Sequence, residues 1–411
     1  MQHNHSTLDM WSLYRQKSKK TVIGIMSGTS LDGVDAALVD IQTSDDGSVK
    51  DVHLAGFVYI PYSNELKEIL VRLCSVEQAK LDDMVVANYG ISEWYVHVVE
   101  MLMKQNGLDR SEVDAICMHG QTIWHAPDGV DFPTPTGHTK VKATFQIGET
   151  AIVRERTGIP VIGNLRARDI AAGGEGAPLA PYLDSIVFGS KNNGRIVQNI
   201  GGIGNATVIP ANASIDQIFA FDTGPGNMVM DTLIREATQG KFQFDEGGEI
   251  AIRGKVHKEL VEKFYRDDPY YLRKPPKSTG REVYGSAFAA GFRNEAIQLG
   301  LSHEDMIASA TALTALSIVQ SYKDFVFPRH DIREVIVAGG GAHNRTLLTM
   351  IREQLPQGCS LHTSEEFGIP DDAREAIAFA VMGHESLMGR PSNIISVTGA
   401  SHPVILGNIT L

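Results

Sequence analysis

The sequence predicts an α/β fold built as two similar halves, and three observations carry that prediction. Residues Ile23–Asp40, IGIMSGTSLDGVDAALVD, read as strand, glycine turn, strand. Arg195–Ile209, RIVQNIGGIGNATVI, repeats the pattern around Gly201-Gly202. Short apolar strands then alternate with helical periodicity through the rest of the chain, the rhythm of an α/β protein. A glycine-tipped hairpin early in each half points to a duplicated architecture with a cleft between the halves. At 411 residues the chain has room for two to three domains.

The elements follow in order. The first 20 residues are polar and mixed, without an apolar core of the secretory type, and are expected to be a loose extension. After the first hairpin, Val52–Ile60 reads as a strand, and Asn64–Val76 and Leu81–Asn106 as helices, with Asn106-Gly107 as a C-cap. Asp114–Met118 is a short apolar strand running into His119-Gly120-Gln121-Thr122. Ala126–Lys140, rich in Pro, Gly and Asp, reads as a surface loop. Thr144–Gly148 and Ile159–Asn164 are strand-like, and Glu149–Thr157 is helical. Phe219–Asp222 ends a short strand, and Gly224-Pro225-Gly226-Asn227 forms a turn in which Asn227 can cap the next helix. Lys274–Glu282, KPPKSTGRE, lacks helical periodicity and reads as a loop, anion-binding or solvated. Met306–Tyr322 is a long apolar helix. Glu334–Ala342, EVIVAGGGA, is a buried strand ending in three glycines, with Asn344 capping the helix that follows. Asp371–Leu387 is helical, and Val404–Ile409 strand-like. The expected division is an extension at 1–20, a first domain at 21–165 plus 392–411, and a second at 166–391.

Composition narrows the function. The hydrophobic share of 43% and charged share of 21% belong to a globular chain with ample core. A net charge of −12 and no basic stripe disfavour nucleic acid and anionic membrane as partners. No stretch approaches the roughly 18 apolar residues of a membrane span. Three cysteines without paired spacing argue against a disulfide scaffold or zinc site and suit a reducing cytoplasm.

The chemistry-bearing residues gather at strand ends and glycine turns. In Gly28-Thr29-Ser30-Leu31-Asp32-Gly33-Val34-Asp35, glycines let the backbone approach a ligand, and hydroxyls and N–H groups face an anion. Asp32 or Asp35 is suited to hold Mg²⁺ through water; the same letters also describe an ordinary polar-tipped hairpin. His119, Gln121 and Thr122 sit at a sheet's carboxyl edge, where α/β proteins bind ligands, although satisfied histidines would read the same. Arg166 and Arg168 beside the glycine-rich bend at 172–178 suit a carboxylate or phosphate, or a surface ion pair. Asp222, a carboxylate ending a strand, is a general-base candidate. Gly339-Gly340-Gly341 permits close contact with a purine or ribose. Glu375 sits in the first turns of its helix, favoured there by the helix dipole.

In combination these segments are specific. The chain resembles the anhydro-N-acetylmuramic acid kinase family, part of the sugar kinase–Hsp70–actin superfamily. The carriers are Met26–Gly33, His119–Thr122, Arg168-Asp169 with Gly176-Ala177-Pro178, Asn199–Gly202, Phe221–Asn227, Lys277–Glu282, Gly339–Gly341 and Val397–Ala400, in the family's order across residues 22–411. Ala167 interrupts the consecutive arginines that the family often shows, and Glu175 stands where Gln is common.

The resemblance implies a two-domain actin/hexokinase-like (ribonuclease H-like) fold with an interdomain ATP cleft. It implies an ATP- and Mg²⁺-dependent kinase, an enzyme that opens a 1,6-anhydro amino sugar and phosphorylates O6 in cell-wall recycling. In that reading Asp222 is the catalytic base, and residues 28–35 hold the ATP phosphates. Gly201, Gly202, Gly224, Gly226, Asn227 and Gly339–Gly341 complete the nucleotide site; His119, Gln121, Thr122, Arg168 and Glu375 face the sugar. A cytoplasmic homodimer is also implied. A kinase of another anhydro sugar such as levoglucosan shares much of this motif set. A non-catalytic nucleotide switch of the actin or Hsp70 type would keep the nucleotide site without the His119–Thr122 and Arg166–Asp169 patches.

Overall fold

The computed structural model describes residues 7–411. Two compact units divide the chain: one runs to Val187 and resumes at Gly368, and the other is Phe188–Phe367. Among the described residues twelve strands build them: β1 Lys19–Ser27, β2 Gly33–Thr43, β3 Val49–Pro61, β4 Ala115–Thr134, β5 Gly137–Ile147, β6 Val161–Gly163, β7 Gly194–Ile200, β8 Ile203–Ile209, β9 Phe219–Pro225, β10 Ile332–Ala338, β11 Ser360–Thr363 and β12 Asn408–Thr410.

The first unit's sheet has the order β12-β6-β4-β1-β2-β3, with β5 paired to β4. The second unit's sheet has the order β11-β10-β7-β8-β9. Each contains the same plan. An antiparallel meander (β1-β2-β3 or β7-β8-β9) meets two strands parallel to its first member (β4 and β6, or β10 and β11). The repetition read from the two glycine hairpins is therefore a repetition of topology. It is faint in the letters because a sheet plan constrains period and turn positions, not residue identity.

Alternation decides which face is buried. Ile23 and Ile25 of β1 and Val34, Ala36 and Leu38 of β2 pack with Leu70, Ile91, Tyr95 and Leu102 of the helices Asn64–Leu73 and Leu81–Gln105. The opposite face meets the helix Asp371–Met388. Its approach requires Gly24, where a Cβ would stand 1.9 Å from the Ala376 carbonyl oxygen. In the second unit, Ile196, Ala206, Val208, Phe221 and Val337 pack with the small and apolar residues of the helix His303–Phe325.

The division differs from the expected one at both edges. The helices Arg166–Ala171 and Pro181–Val187 stay with the first unit, as does Asp371–Met388. Buried polar ties explain this. Asp169 accepts from Asn393 Nδ2 and Thr398 Oγ1, both at 2.7 Å, and Arg374 grips Asp184 with two bonds from its Nη2 at 2.6 Å. The contact partners lie some 190 residues or more away in sequence, beyond the reach of local pattern.

Three further expectations change. Of the extension, residues 1–6 lie outside the described residues, but Thr7–Gln16 is a helix, and Tyr14 is buried with its hydroxyl 2.8 Å from His384 Nδ1. Residues 126–140 are no loop: β4 and β5 continue as a hairpin arm with Val130 paired to Val141 and Phe132 to Thr139. A bulge between Ala126 and Val130 absorbs the turn-like Pro127-Asp128-Gly129, so those residues break the register without ending the strand. At the carboxyl terminus, pairing is limited to Asn408–Thr410.

Candidate functional site

In the first unit, the β1–β2 hairpin is fixed at its base and open at its tip. Ser27 Oγ lies 2.7 Å from Tyr95 Oη, Gln121 Nε2 donates to Gly28 O at 2.6 Å, and Tyr62 N donates to Asp32 O at 2.9 Å. Leu31 takes a positive φ of 55° to close the turn, and Ser30 Oγ donates to Asp32 Oδ1. Thr29, Ser30 and Asp32 are exposed, whereas Gly33 and the Val34 side chain are buried and offer a ligand backbone at most.

Asp35 is partly buried beside Asp32, Glu375 and Asp372; burial first, then these like charges, push its carboxyl up to about 7. The Asp35 carboxylate with the exposed Asp32 beside it fits Mg²⁺, whereas Glu375 also faces the Arg166 and Arg374 charges. Among the described residues no three His, Cys, Asp or Glu groups form a metal cage.

His119 and Gln121 do not present free groups. Arg166 Nε can only donate, so His119 Nε2 accepts from it at 2.8 Å and Nδ1–H donates to Ser27 O at 3.0 Å. Burial, and then the Arg166 charge, hold this imidazole down to about 3, so it is neutral. Gln121 is fully buried, its Oε1 accepting from Tyr62 Oη. Both therefore brace the hairpin, and His119 also holds Arg166. Thr122 is partly exposed, and Arg168 and Glu375 are exposed. Arg166, also bonded to Gly176 O at 2.6 Å, is the anchored arginine of the pair. Asp169 is the organiser beneath, taking Gly176 N at 2.8 Å. Both lay in quoted segments, but only burial separates anchor from surface.

In the second unit, β7, β9 and β10 run in one direction, so their carboxyl ends bring 201–202, 224–227 and 339–341 to one edge; Asp222 does not end its strand as expected but lies within β9, because pairing with β8 continues through Gly224 and Pro225. The register sets Ala338, Asn199, Asn205 and Asp222 side by side across four strands. Asn199, Asn205 and Asp222 are half-buried between fully buried neighbours. Asn199 and Asn205 stand level with Asp222 in this register. Their shared offset from the hairpin tip gains meaning only once pairing is known.

Asp222 Oδ2 accepts from Thr279 N at 2.9 Å, Asp222 N donates to Lys277 O at 3.0 Å, and Tyr270 Oη donates to Asp222 O at 2.8 Å. Burial pushes the carboxyl up to about 6, opposed by the Thr279 N–H and the Lys277 ammonium and assisted by Glu282. Lys277 itself is buried, whereas Lys274, Pro276, Ser278, Arg281 and Glu282 of the same loop are exposed.

The glycines divide by role. Gly202 and Gly340 are exposed, so their backbone is open to a ligand. Gly224, Gly226 and Gly341 are packing glycines; a Cβ on Gly226 would lie 2.2 Å from Gly201 O. The N–H groups of Gly226 and Asn227 are spent on the carbonyls of Gly202 and Gly201 at 2.9 and 2.7 Å. Asn227 does not cap its helix; its Nδ2 donates to Ile200 O at 3.2 Å. Gly201 and Gly339 are partly exposed, and Asn344 does cap its helix, accepting from Leu347 N at 2.9 Å.

Comparison with known proteins gives the class and then the family. A family model described as anhydro-N-acetylmuramic acid kinase matches residues 20–411. The chain is 42% identical over 395 residues to the anhydro-N-acetylmuramic acid kinase of Caldanaerobacter subterraneus subsp. tengcongensis, covering 96% of this chain and 98% of the relative. It is 40% identical over 390 residues to the protein of that name from Bacillus cereus strain G9842, covering 95% and 98%. It is 39% identical over 406 residues to the one from Salinibacter ruber, covering 98% and 99%. Agreement at this level along the whole length makes the protein a kinase, a phosphotransferase that uses ATP. It belongs to the anhydro-N-acetylmuramic acid kinase family. No helix among the described residues is long and apolar enough to cross a membrane.

Proposed function

We propose that this chain hydrolytically opens 1,6-anhydro-N-acetylmuramic acid and transfers the γ-phosphoryl of ATP to O6, yielding N-acetylmuramic acid 6-phosphate and ADP. The observation that carries the reading is Asp222: a half-buried carboxylate within β9, raised to about 6, with Thr279 N on one oxygen. A base of that strength is ionised at neutral pH and still basic enough to take a proton from water. In the anhydro sugar O6 is an ether oxygen and has no proton to give.

Asp222 therefore takes a proton from water, and the water oxygen bonds to the anomeric carbon. The bond from that carbon to O6 breaks, and O6 carries the electron pair onto the γ-phosphorus as ADP leaves. In the first unit, the exposed Thr29, Ser30 and adjoining amides of the hairpin receive the triphosphate. Asp32 and Asp35 would hold Mg²⁺, which would supply charge neutralisation on the transferring phosphoryl. Gly340, with Gly202, offers open backbone for the adenosine. Arg168, exposed beside the anchored Arg166, reads the lactyl carboxylate; Thr122 and Glu375 contact the sugar. The active form is a cytoplasmic homodimer serving peptidoglycan turnover.

The test is coupled ADP release with anhydro-N-acetylmuramic acid, levoglucosan and unbridged sugars. Turnover should require the bridged amino sugar and vanish on chelation of Mg²⁺. Preference for levoglucosan would reassign the substrate, and ADP release without any sugar would remove the kinase reading.

A further inference from the structure

Lys277 is a charged group that the proposed chemistry leaves unused, and it is 8% exposed. Its ammonium sits 4.6 Å from the Tyr270 ring centroid and 4.9 Å from that of Phe325, with one carbonyl contact, to Tyr270 O at 3.5 Å. Two aromatic faces around a desolvated cation form a cation–π cage. The charged groups that face it are Asp324 from the helix His303–Phe325, Asp222 from β9, and Asp268 and Arg273 from either side of the turn Pro269–Leu272.

The same lysine is bound through its backbone to the strand that bears Asp222. Lys277 O accepts from Asp222 N, and two residues on, Thr279 N donates to Asp222 Oδ2. Tyr270 serves both ends, its ring beneath the ammonium and its hydroxyl on Asp222 O. Residues 273–280 between these contacts form neither helix nor strand. A loop without ladder bonds keeps its shape only where side chains hold it.

We infer that Lys277 is a positioning residue for the water-activating step. Its caged ammonium pins the 275–280 loop to β9 and keeps the Thr279 N–H on Oδ2, leaving Oδ1 of Asp222 turned to water. This rests on Asp222 being the base. A lysine that merely filled space would serve the fold equally well without its charge, since buried ions often contribute no net stability.

The test uses the full-length enzyme with Lys277→Met and Lys277→Arg. The methionine keeps the stem in the cage and drops the charge. It should lower kcat about tenfold or more, a share of what a positioned base supplies, with the KM for ATP unchanged. The acid limb of kcat/KM should move to higher pH by roughly one unit, because a cation that favours the carboxylate is gone while Glu282 still opposes it. Arginine should restore the limb and much of kcat.

A methionine variant with the limb unmoved and kcat within twofold overturns the inference, whatever its melting temperature; so does an arginine variant that behaves like methionine. Should the methionine variant fail to fold, Phe325→Leu, which removes one ring and keeps the charge, must slow kcat, and unchanged kcat there overturns the inference. The two readings separate through Asp222→Asn. Near-normal turnover in that variant sinks both, whereas an inactive Asn variant beside an unaffected Met variant sinks only the role of Lys277.

Discussion

At Asp222 a single environment sets both reactivity and a stability penalty. Its folded value of about 6 lies above the 3.8 of a free carboxyl, so ionisation opposes folding. The stability linked to this group is fully present below pH 3.8 and is lost as pH rises through about 6. Activity runs the other way, since the base must be ionised. We expect kcat/KM to fall tenfold per unit below about pH 6. Asp222→Asn should abolish turnover, retain ATP binding by calorimetry, and melt no lower than wild type at pH 7.5. A second residue-scale expectation concerns the arginines. Arg168 is exposed, so Arg168→Leu should change stability by no more than about 0.5 kcal/mol in urea unfolding. The same change should raise KM for the lactyl-bearing sugar and leave levoglucosan kinetics alone; an equal effect on both sugars argues against a carboxylate contact. The residue types at 119, 121, 166 and 168 were legible as a polar patch. Which of them brace and which face solvent was not, because that depends on partners such as Ser27, Tyr62 and Gly176 that no local spacing reveals.

Between elements, the helix Asp371–Met388 decides how the first unit is assembled. It crosses β1 where only hydrogen fits on Gly24, and its Arg374 is buried against Asp184. Gly24→Ala forces backbone apart and should cost about 3 kcal/mol, at the upper end for overpacking, as read by denaturant midpoint. Asp184→Asn leaves a buried guanidinium without its counter-charge and should cost about 3–5 kcal/mol; a loss below 1 kcal/mol in that variant would show the pair to be solvated. Asn227 makes the parallel point in the second unit. Its letter and place suit an N-cap, yet the Gly201-Gly202 tip folds back onto that turn, and tertiary bonding takes over the helix's first donors. The β4–β5 arm was hidden for a related reason. Pro127, Asp128 and Gly129 are turn residues by preference, and a bulge accommodates them inside a ladder that long pairing stabilises.

Across the whole molecule, two units share one sheet plan but carry different chemistry at corresponding turns: an acid-lined, hydroxyl-bearing hairpin in one, and a braced aspartate with open glycines in the other. The sugar panel described above tests this division of labour at the level of the full enzyme. The sequence by itself determined the α/β class, the two glycine hairpins and the family, because each depends on short-range periodicity, turn residues or ordered motifs. Only the tertiary structure decided that 166–187 and 368–391 belong with the first unit, that His119 and Gln121 act as braces, and that Lys277 is caged beneath Asp222. Those outcomes turn on burial and on partners far apart in the chain, and a free energy that depends on who is nearby cannot be read from residues considered a window at a time.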